Sequence, residues 1–245
     1  MSRVFEKLYR FILLTALVSA GVFIERMGVI DYLADPYEFA YTLHLVGQHV
    51  TMVGVSILLA GVTGLAVGII FTRPRLKRFS GVVMYLVGLG QTIPSLAVIA
   101  IAMSFMGVGF KPAVFALYVY SVLPIARNTL AGINSVPSWM IEAARGMGMT
   151  NSRILFQVEL PNATPVIITG VRISLVINIG TTALAFLIGA GGLGEHIFTG
   201  IDLMRPEKLL AGAIPTTLLA LSADYLIEIF GILLIPRGIR AEGKI

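Results

Sequence analysis

Residues 142–161, EAARGMGMTNSRILFQVELP, are the one long amphipathic segment between segments that are otherwise apolar. Just before them, Pro137 and Ser138 favour the start of a helix, because proline suits the first helical turn and the Ser138 hydroxyl can act as an N-cap. Gly146 and Gly148 then permit a sharp turn that other residues resist. A helix followed by a glycine turn is therefore predicted for the first half of this segment.

The second half of the segment predicts another short helix. Thr150 can cap a helix that runs to Leu160, and we expect Pro161 to end it, because proline has no backbone N–H to continue the hydrogen-bond ladder. Ala143 and Ala144 are small enough to allow a partner to approach closely. The whole element is suited to dock into a groove on another protein, and the alternative is an ordinary interfacial helix that lies on lipid.

The composition places the chain in the membrane. Hydrophobic residues make up 57% of the 245 residues and charged residues only 13%, with a mean hydropathy of +0.91. A soluble domain carries about 25% charged residues. The net charge of +5 does not indicate nucleic-acid binding, because the basic residues form short clusters beside apolar runs. We therefore expect an all-α protein surrounded by membrane lipid, with one domain over residues 1–245, since no linker or low-complexity tract divides the chain.

Six apolar runs are each close to the length of about twenty residues that crosses a bilayer, and they predict six transmembrane helices. The first run follows Arg3 and Lys7 and contains small residues, so it also fits a secretory signal peptide. We favour a retained helix, because the run stays apolar to Ile24 and no soluble exported domain follows. The six runs cover residues 8–24, 46–71, 81–106, 112–133, 164–188 and 209–235.

The distribution of positive charge predicts the orientation. Thirteen of the eighteen Lys and Arg residues fall in one set of alternate loops and ends, whereas four fall in the other set and Arg172 lies inside a span. Cytoplasmic loops carry the excess of Lys and Arg. Both termini and the 142–161 segment are therefore predicted to be cytoplasmic in a multi-pass protein.

Three motif searches exclude common chemistries. Gly189, Gly191 and Gly194 match the spacing of a dinucleotide fingerprint, but they follow a membrane span instead of a strand, so we reject that interpretation. No G-x-x-x-x-G-K-[ST] pattern is present, so the chain is not expected to bind ATP or to be an enzyme. There is no cysteine, and the three histidines have no ligand spacing, so we expect no metal site and no catalytic residue.

Three charged residues fall inside predicted spans, where they are costly unless paired. Arg172 lies ~13 Å into span five from its cytoplasmic start, and Asp224 and Glu228 lie about 16 and 10 Å from the cytoplasmic end of span six. Because Asp224 and Glu228 are four residues apart, they share one helix face. We therefore predict an intramembrane ion pair between Arg172 and one of these carboxylates, with a structural role favoured over a proton relay.

Polar breaks in two spans are candidates for a solute path. Pro94 interrupts span three, and polar side chains stand beside the backbone groups that it frees. Span five carries a similar polar stripe. The alternative is helix packing through small and hydroxyl residues. The candidate path residues are Gln91, Thr92, Pro94, Ser95, Asn178 and Thr181.

The 142–161 segment resembles the EAA signature of permease subunits of type I binding-protein-dependent ABC importers. Glu142, Ala143 and Ala144 match its first part, Gly148 its glycine, and Leu160 and Pro161 its end, with Val158 where the family usually has Ile. The resemblance extends from about residue 88 to 238 through GQTIPSLA, YSVLPIARNTLAGI and VINIGTTALAFLIGAGGLGEHIF, and it looks like the osmoprotectant branch.

The resemblance implies a MetI-like permease fold in the bacterial cytoplasmic (inner) membrane. It also implies that residues 137–161, the coupling element, dock on an ABC ATPase. The expected partners are two ATPase subunits that bind Mg-ATP, a second permease copy or paralogue, and a separate extracytoplasmic solute-binding protein. The expected solute is glycine betaine, choline or carnitine. The alternatives are an amino-acid solute, as in the related methionine permeases, and an ion-coupled secondary transporter that uses the intramembrane charges.

Overall fold

The computed structural model describes residues 21–234 together with residues 9, 12, 14, 15, 18 and 19. In this part of the chain every regular element is helical, as the all-α prediction requires. A 3-10 turn occupies Lys77–Phe79, a π-helical turn Leu155–Glu159, and a 3-10 helix Ala183–Ile188. The α-helices are α1 (Val29–Ala34), α2 (Pro36–Ile70), α3 (Ser80–Gly90), α4 (Ser95–Met106), α5 (Phe110–Asn134), α6 (Ser138–Gly146), α7 (Asn151–Ile154), α8 (Leu160–Thr182), α9 (Gly194–Asp202) and α10 (Pro206–Leu234).

The long apolar helices correspond to five of the predicted spans. Among the described residues, four segments are long and apolar enough to cross a membrane, namely Pro36–Ile70, Phe110–Asn134, Asn151–Ile188 and Pro206–Leu233. A fifth candidate is a bent pair of helices, Lys77–Gly90 and Ser95–Met106. The predicted first span, residues 8–24, falls partly outside the described residues. The retention of this span therefore stays a prediction.

The bent pair turns by 92° between α3 and α4. α3 ends at Gly90 and α4 begins at Ser95, and Pro94 between them has an extended ψ of 133°. A proline has no N–H to donate, and its ring clashes with the preceding helical turn, so it favours the start of a helix over its interior. The break predicted at Pro94 is therefore present.

Helix α2 is longer than the apolar run predicted, because it begins at Pro36 and not near residue 46. The Asp35 carboxylate accepts hydrogen bonds from the backbone N–H of Tyr37 at 2.8 Å and of Glu38 at 3.2 Å. Pro36 in the first turn already has the φ of a helix, which also favours a helix start at this position. A search for apolar runs misses the added turns because they carry polar side chains.

Helix α2 contacts helix α5 at two of its glycines, where the two backbones lie close together. A Cβ atom placed on Gly64 would lie 2.8 Å from the Ile125 side chain, and one placed on Gly68 would lie 2.4 Å from Thr129. Neither distance is compatible with a side chain, so the close approach of the two backbones requires glycine at both positions. The G-x-x-x-G pair therefore sets the spacing of α2 and α5.

A buried polar network joins α2, α5 and α8. Asn178 Nδ2 donates to Ser56 Oγ at 2.9 Å and to Ser121 Oγ at 2.6 Å, and Asn178 Oδ1 accepts a bond from Thr182 at 3.3 Å. Asn178 is only 1% exposed. Because all three helices share one satisfied amide, the network fixes their register in a medium that offers no water.

The chain reverses after the 3-10 helix Ala183–Ile188 through a glycine turn, the 189–192 turn. Gly189 and Gly191 have φ values of 73° and 75°, a region that glycine enters without strain. The Gly192 N–H donates to Gln48 Oε1 at 2.9 Å, which holds the turn against α2. These glycines therefore shape a reversal after a membrane helix, in agreement with the rejection of a dinucleotide site.

Two buried histidines, one on α2 and one on α9, contact neighbouring helices close to this turn. His49 on α2 is fully buried and contacts the Ile179 carbonyl at 3.0 Å, and His196 on α9 is fully buried with Nε2 2.9 Å from Thr42 Oγ1. The Thr42 hydroxyl donates to the Glu38 carbonyl, so it must accept from His196. Nε2 of His196 therefore carries a proton.

Candidate coupling site and intramembrane ion cluster

Helix α6 presents most of its surface to the outside of the chain. Pro137 has an extended ψ at the helix start, and no side-chain hydrogen bond caps the helix. The prediction that the Ser138 hydroxyl is the N-cap is therefore wrong. The φ that the Pro137 ring fixes favours the start of the helix without a side-chain cap. Ala144 is buried at 1% exposure and seats the helix against the chain. The side chains left exposed along one face are Trp139, Glu142, Ala143 and Met147.

That exposed face, the α6 face (Trp139, Glu142, Ala143 and Met147), combines one carboxylate with apolar and aromatic surface. Glu142 and Ala143 follow Trp139 by three and four residues, and Met147 follows Ala143 by four, so these side chains share one side of the helix. Surface of this kind, with a rigid aromatic and a methionine beside one charge, is typical of protein contacts.

The glycine turn after α6 follows the prediction. Gly148 has a φ of 76°, and its N–H donates to the Arg145 carbonyl at 2.9 Å, while the Met149 N–H donates to the Ala144 carbonyl at 3.1 Å. A left-handed residue of this kind ends helices and suits glycine. The Thr150 hydroxyl then accepts from the Arg153 N–H at 3.4 Å and caps α7, as predicted.

The helix that follows does not stop at Pro161, so that prediction is wrong. Residues from Asn151 to Ile188 form one helical segment, in which the π-helical turn Leu155–Glu159 precedes Leu160 and Pro161 in the first turn of α8. A π-turn shifts the hydrogen-bond ladder by one residue, and a proline in a first helical turn has no intrahelical bond to lose. Asn162 Nδ2 also donates to the Val158 carbonyl at 2.7 Å, which satisfies a group in the altered turn.

An ion pair that the sequence did not indicate anchors this segment. Arg73, in the connection from α2 to α3, places Nη2 2.6 Å from Oε2 of Glu159 in the π-turn. The Glu159 side chain is 12% exposed and that of Arg73 is 26% exposed. The only sequence signal was an acidic residue in an apolar stretch opposite a basic loop, which does not identify a partner 86 positions away.

A cavity of about 380 Å³ lies between this connection and the coupling element. Its charged lining residues are Arg73, Lys77, Arg145 and Glu159, so positive charge dominates. The α6 face and this basic cavity are two different surfaces at the same end of the molecule.

The three intramembrane charges come together as their matched depths predicted. Arg172 Nε lies 2.8 Å from Asp224 Oδ1 and Nη2 lies 2.8 Å from Asp224 Oδ2, a bidentate pair. Arg172 Nη2 also contacts Glu228 Oε2 at 3.1 Å. The guanidinium therefore bridges both carboxylates instead of pairing with one of them, and we name these three residues the charge cluster.

The candidate path residues of span three lie at the bend. The Thr92 hydroxyl donates to the Leu89 carbonyl at 2.8 Å, and Gln91 Oε1 accepts from Arg127 Nη1 at 3.2 Å. Thr92 and Pro94 are exposed, and Gln91 and Ser95 are half-buried. A polar, partly open bend is thus present here, and solute contact at it stays a prediction.

The candidates of span five are in different surroundings. Asn178 is enclosed by its bonds to α2 and α5, so in this conformation it holds helices together and faces no open space. Thr181 is half-buried, and its hydroxyl donates to the Ile177 carbonyl at 2.7 Å. Asn178 therefore has the packing role that the sequence left open as the alternative, and solute contact at Thr181 stays a prediction.

Electrostatics near the 189–192 turn favour a neutral imidazole at His196. Burial lowers the pKa of His196, and the positive charge of Lys208 lowers it further, while Glu38 and Glu195 act in the opposite direction. The Tyr41 hydroxyl donates to the Glu195 carboxylate beside it. His196 is thus uncharged at neutral pH where it contacts Thr42.

Comparison with known proteins gives a consistent result. The profile of the family described as "Binding-protein-dependent transport system inner membrane component" matches residues 64–232. The osmoprotectant import permease protein OsmY of Salmonella typhimurium is 48% identical over 223 residues, 91% of this chain and 93% of that protein. The glycine betaine/carnitine/choline transport system permease protein OpuCB of Bacillus subtilis is 39% identical over 203 residues, 83% of this chain and 93% of that protein.

A solved structure shows the same fold. An inward-facing structure of the MetNI methionine ABC transporter aligns with a TM-score of 0.68 and 26% identity, over 86% of this chain and 100% of that chain. The matched family profile covers α3 to α10 and therefore the coupling element and the charge cluster. The chain belongs to the family of binding-protein-dependent transport system inner membrane components.

Proposed function

We propose that this chain is the transmembrane subunit of an ATP-driven importer for small quaternary-ammonium osmoprotectants, namely glycine betaine, choline or carnitine. The observation that carries the proposal is the 48% identity to an osmoprotectant import permease over 91% of the chain. The identity to the methionine transporter chain is 26%, which favours the osmoprotectant solutes over an amino acid.

Coupling to ATP hydrolysis is assigned to the α6 face. Partner ATPase subunits bind Mg-ATP and hydrolyse it, and this chain serves as a transport subunit without an ATPase site of its own. Each ATPase holds one α6 in a groove, where Glu142 makes a polar contact and Trp139 and Met147 supply apolar area. Closure of the two ATPases moves the coupling elements, and the spans open to the outside by alternating access.

The orientation assigns each partner to a side of the cytoplasmic membrane. The excess of Lys and Arg in one set of loops supports a cytoplasmic position for both termini and for the coupling element, where ATP is available. The glycine turn before α9 then faces outwards, where a solute-binding protein delivers the solute. A different segment of the chain therefore serves each partner.

A second permease, either another copy or a paralogue, completes the pore. α3 contains no buried residue, and only 11% of the most apolar part of Pro206–Leu233 is buried by the rest of the described chain. Apolar surface can face lipid, but the charge cluster on α8 and α10 cannot do so without a large cost. A second permease that encloses a shared pore removes the cluster from the hydrocarbon and leaves it facing that pore.

The test is reconstitution of the complete importer with its ATPase subunits and binding protein. We expect solute-loaded binding protein to stimulate ATP hydrolysis with glycine betaine, choline or carnitine and not with methionine. Stimulation by methionine alone would overturn the assignment of the solute. Proton-dependent uptake by the chain alone in liposomes, without ATPase subunits, would overturn the importer class.

A further inference from the structure

The charge cluster carries one more negative charge than positive charge. Arg172 supplies one cation, and Asp224 and Glu228 supply two carboxylates within 3.1 Å of it. Both nitrogen atoms of the guanidinium edge that faces Asp224 are occupied by that carboxylate. Glu228 therefore shares a cation that Asp224 already neutralises, and the cluster has a net charge of −1 when both acids are ionised.

The position of the cluster makes that excess charge significant. Along the continuous helix, Arg172 lies ~20 Å from Glu159 at the cytoplasmic side and ~24 Å from Ile188 at the 189–192 turn, so it is near mid-membrane. An uncompensated charge at this depth is expensive, and such residues face a protein interior or a water-filled space. The cluster therefore needs either a counter-cation or a proton.

The cluster is also open to a solute. The side chains of Arg172, Asp224 and Glu228 are 31%, 37% and 40% exposed. A cavity of about 460 Å³ begins at Arg172 and Asp224, and its remaining walls are Thr169, Ile173, Val176 and Ile177. That volume lies within the range of about 300–1,000 Å³ that is typical of small-molecule sites.

The walls of this cavity match one class of cation better than others. A quaternary ammonium group carries its charge on N-methyl groups that donate no hydrogen bonds, so it needs apolar contact and a nearby negative charge. Ile173, Val176 and Ile177 supply the apolar contact, and the cluster supplies the charge. A metal ion or a primary ammonium would instead need several free oxygen ligands, whereas the Asp224 carboxylate of this lining is paired with Arg172 and the Thr169 hydroxyl donates to the Pro165 carbonyl.

We propose that the cavity beside the charge cluster is a transient intramembrane site for the quaternary ammonium group of the transported solute, with Glu228 as the source of the excess charge. The inference rests on the proposed function. Arg172 positions the two carboxylates, and because both carboxylates already bind its guanidinium, the site attracts the cationic group of a solute more than a carboxylate. The site therefore favours choline, which has a net positive charge, over zwitterionic glycine betaine.

The test uses the complete importer in proteoliposomes, with the same solute-loaded binding protein at saturation for every variant. Uptake of choline and of glycine betaine is measured for wild type and for Glu228→Gln. Glutamine has the size of glutamate and keeps an oxygen for Arg172, so only the excess charge is removed. We expect the ratio of choline uptake to glycine betaine uptake to fall by about tenfold, the effect of losing one opposite charge a few ångströms from the solute.

A second variant tests the same inference without touching the cluster. Thr169→Lys places a positive charge on the cavity wall, and we expect it to lower the same ratio. Asp202→Asn is the matched control, because it neutralises an exposed carboxylate at the end of α9, outside the membrane. The ratio is expected to stay unchanged in this control.

The outcomes separate the inference from the proposed function. If wild type imports neither quaternary ammonium solute, the proposed function is wrong. If wild type imports both and the ratio is unchanged in Glu228→Gln and in Thr169→Lys, the solute site is overturned, and a protonated Glu228 with a structural role is indicated. A fall of the ratio in both variants, with the control unchanged, supports the site even if one variant assembles poorly.

Discussion

Arg73 Nη2 lies 2.6 Å from Glu159 Oε2, which ties the connection between α2 and α3 to the first turns of the long helix that follows the coupling element. Glu159 is almost buried, so its charge depends on this partner. The ion pair therefore belongs to the support of the coupling element and not to the exposed charges of the loop.

Removal of one partner of this pair is expected to cost more stability than removal of both. Arg73→Ala leaves a nearly buried carboxylate unpaired, and we expect a loss of roughly 2–3 kcal/mol, at the lower end for buried pairs because both side chains retain some exposure. The double variant Arg73→Ala with Glu159→Gln should recover part of that loss. Thermal unfolding in detergent measures both values.

Lys77→Ala is the control for that experiment, since Lys77 lines the same cavity with its charge outside the ion pair. We expect a change within about 0.5 kcal/mol for this exposed type of substitution. Equal losses for Arg73→Ala and for the double variant would contradict the role of the pair.

Charge reversal on the α6 face is expected to uncouple ATP hydrolysis from transport. Glu142 is exposed on that face, so Glu142→Lys replaces its polar contact with the ATPase by a repulsive one without altering the interior of the chain. Binding-protein-stimulated ATPase activity and solute uptake should both fall by about tenfold or more, equivalent to one lost charged contact.

Gln157→Lys is the matched control for Glu142→Lys. Gln157 is exposed on the π-turn of the same coupling element, and the substitution introduces the same charge away from the α6 face. Unchanged uptake and unchanged co-purification of the ATPase with Glu142→Lys would remove Glu142 from the coupling site.

The glycine turn offers a test with an internal control. Gly148 has a φ of 76°, so Gly148→Ala strains the backbone although the added methyl group meets no neighbour, and we expect a loss of roughly 1 kcal/mol together with weaker ATPase stimulation. Gly146 is helical and its added methyl group is also unobstructed, so Gly146→Ala should be neutral or stabilising. Equal effects of the two substitutions, measured by unfolding and ATPase stimulation, would contradict the assigned turn.

Protonation of His196 at acidic pH is expected to destabilise the folded chain. Burial holds the pKa of His196 below its ordinary value in the folded chain, so the unfolded chain binds the proton more readily. The stability that the neutral imidazole contributes is complete above the unfolded pKa of about 6.5 and is lost as the pH falls below it. The unfolding temperature should therefore drop between about pH 7.5 and pH 5.

His196→Gln should reduce this pH dependence, because glutamine can donate to Thr42 but does not titrate. His44→Gln is the control, since His44 is exposed and its loss should leave the pH dependence in place. An unfolding temperature that is independent of pH in wild type, or equally dependent in His196→Gln, would contradict the role of His196.

Several features could be predicted from the sequence because local rules determine them. The helix of the coupling element, the turn at Gly148 and the cap at Thr150 follow from residue types at adjacent positions. The break at Pro94 follows from the missing backbone donor. Equal depth along two membrane helices was sufficient to predict the contact of Arg172 with Asp224 and Glu228, because the length of a span fixes how deep each residue lies in the bilayer.

The features that the sequence did not predict depend on contacts between distant segments or on a rarer backbone form. The continuation of the helix through Pro161 needs a π-turn, which propensities do not indicate. Glu159 and Arg73 are brought together by tertiary packing. Asn178 looked like a path residue because polarity alone does not show whether a side chain points to a neighbour or to open space.

The continuous segment from Asn151 to Ile188 has a mechanical consequence. At 1.5 Å per residue it is ~57 Å long, so one continuous helical segment reaches from the coupling element to the 189–192 turn. It can act as a lever whose pivot is the Asn178 network with α2 and α5. A tilt of ~5° would then displace the end of the lever at Asn151 by ~3–4 Å relative to that pivot. The arm from Asn178 to Ile188 is shorter, so the 189–192 turn would move less than the Asn151 end and in the opposite direction.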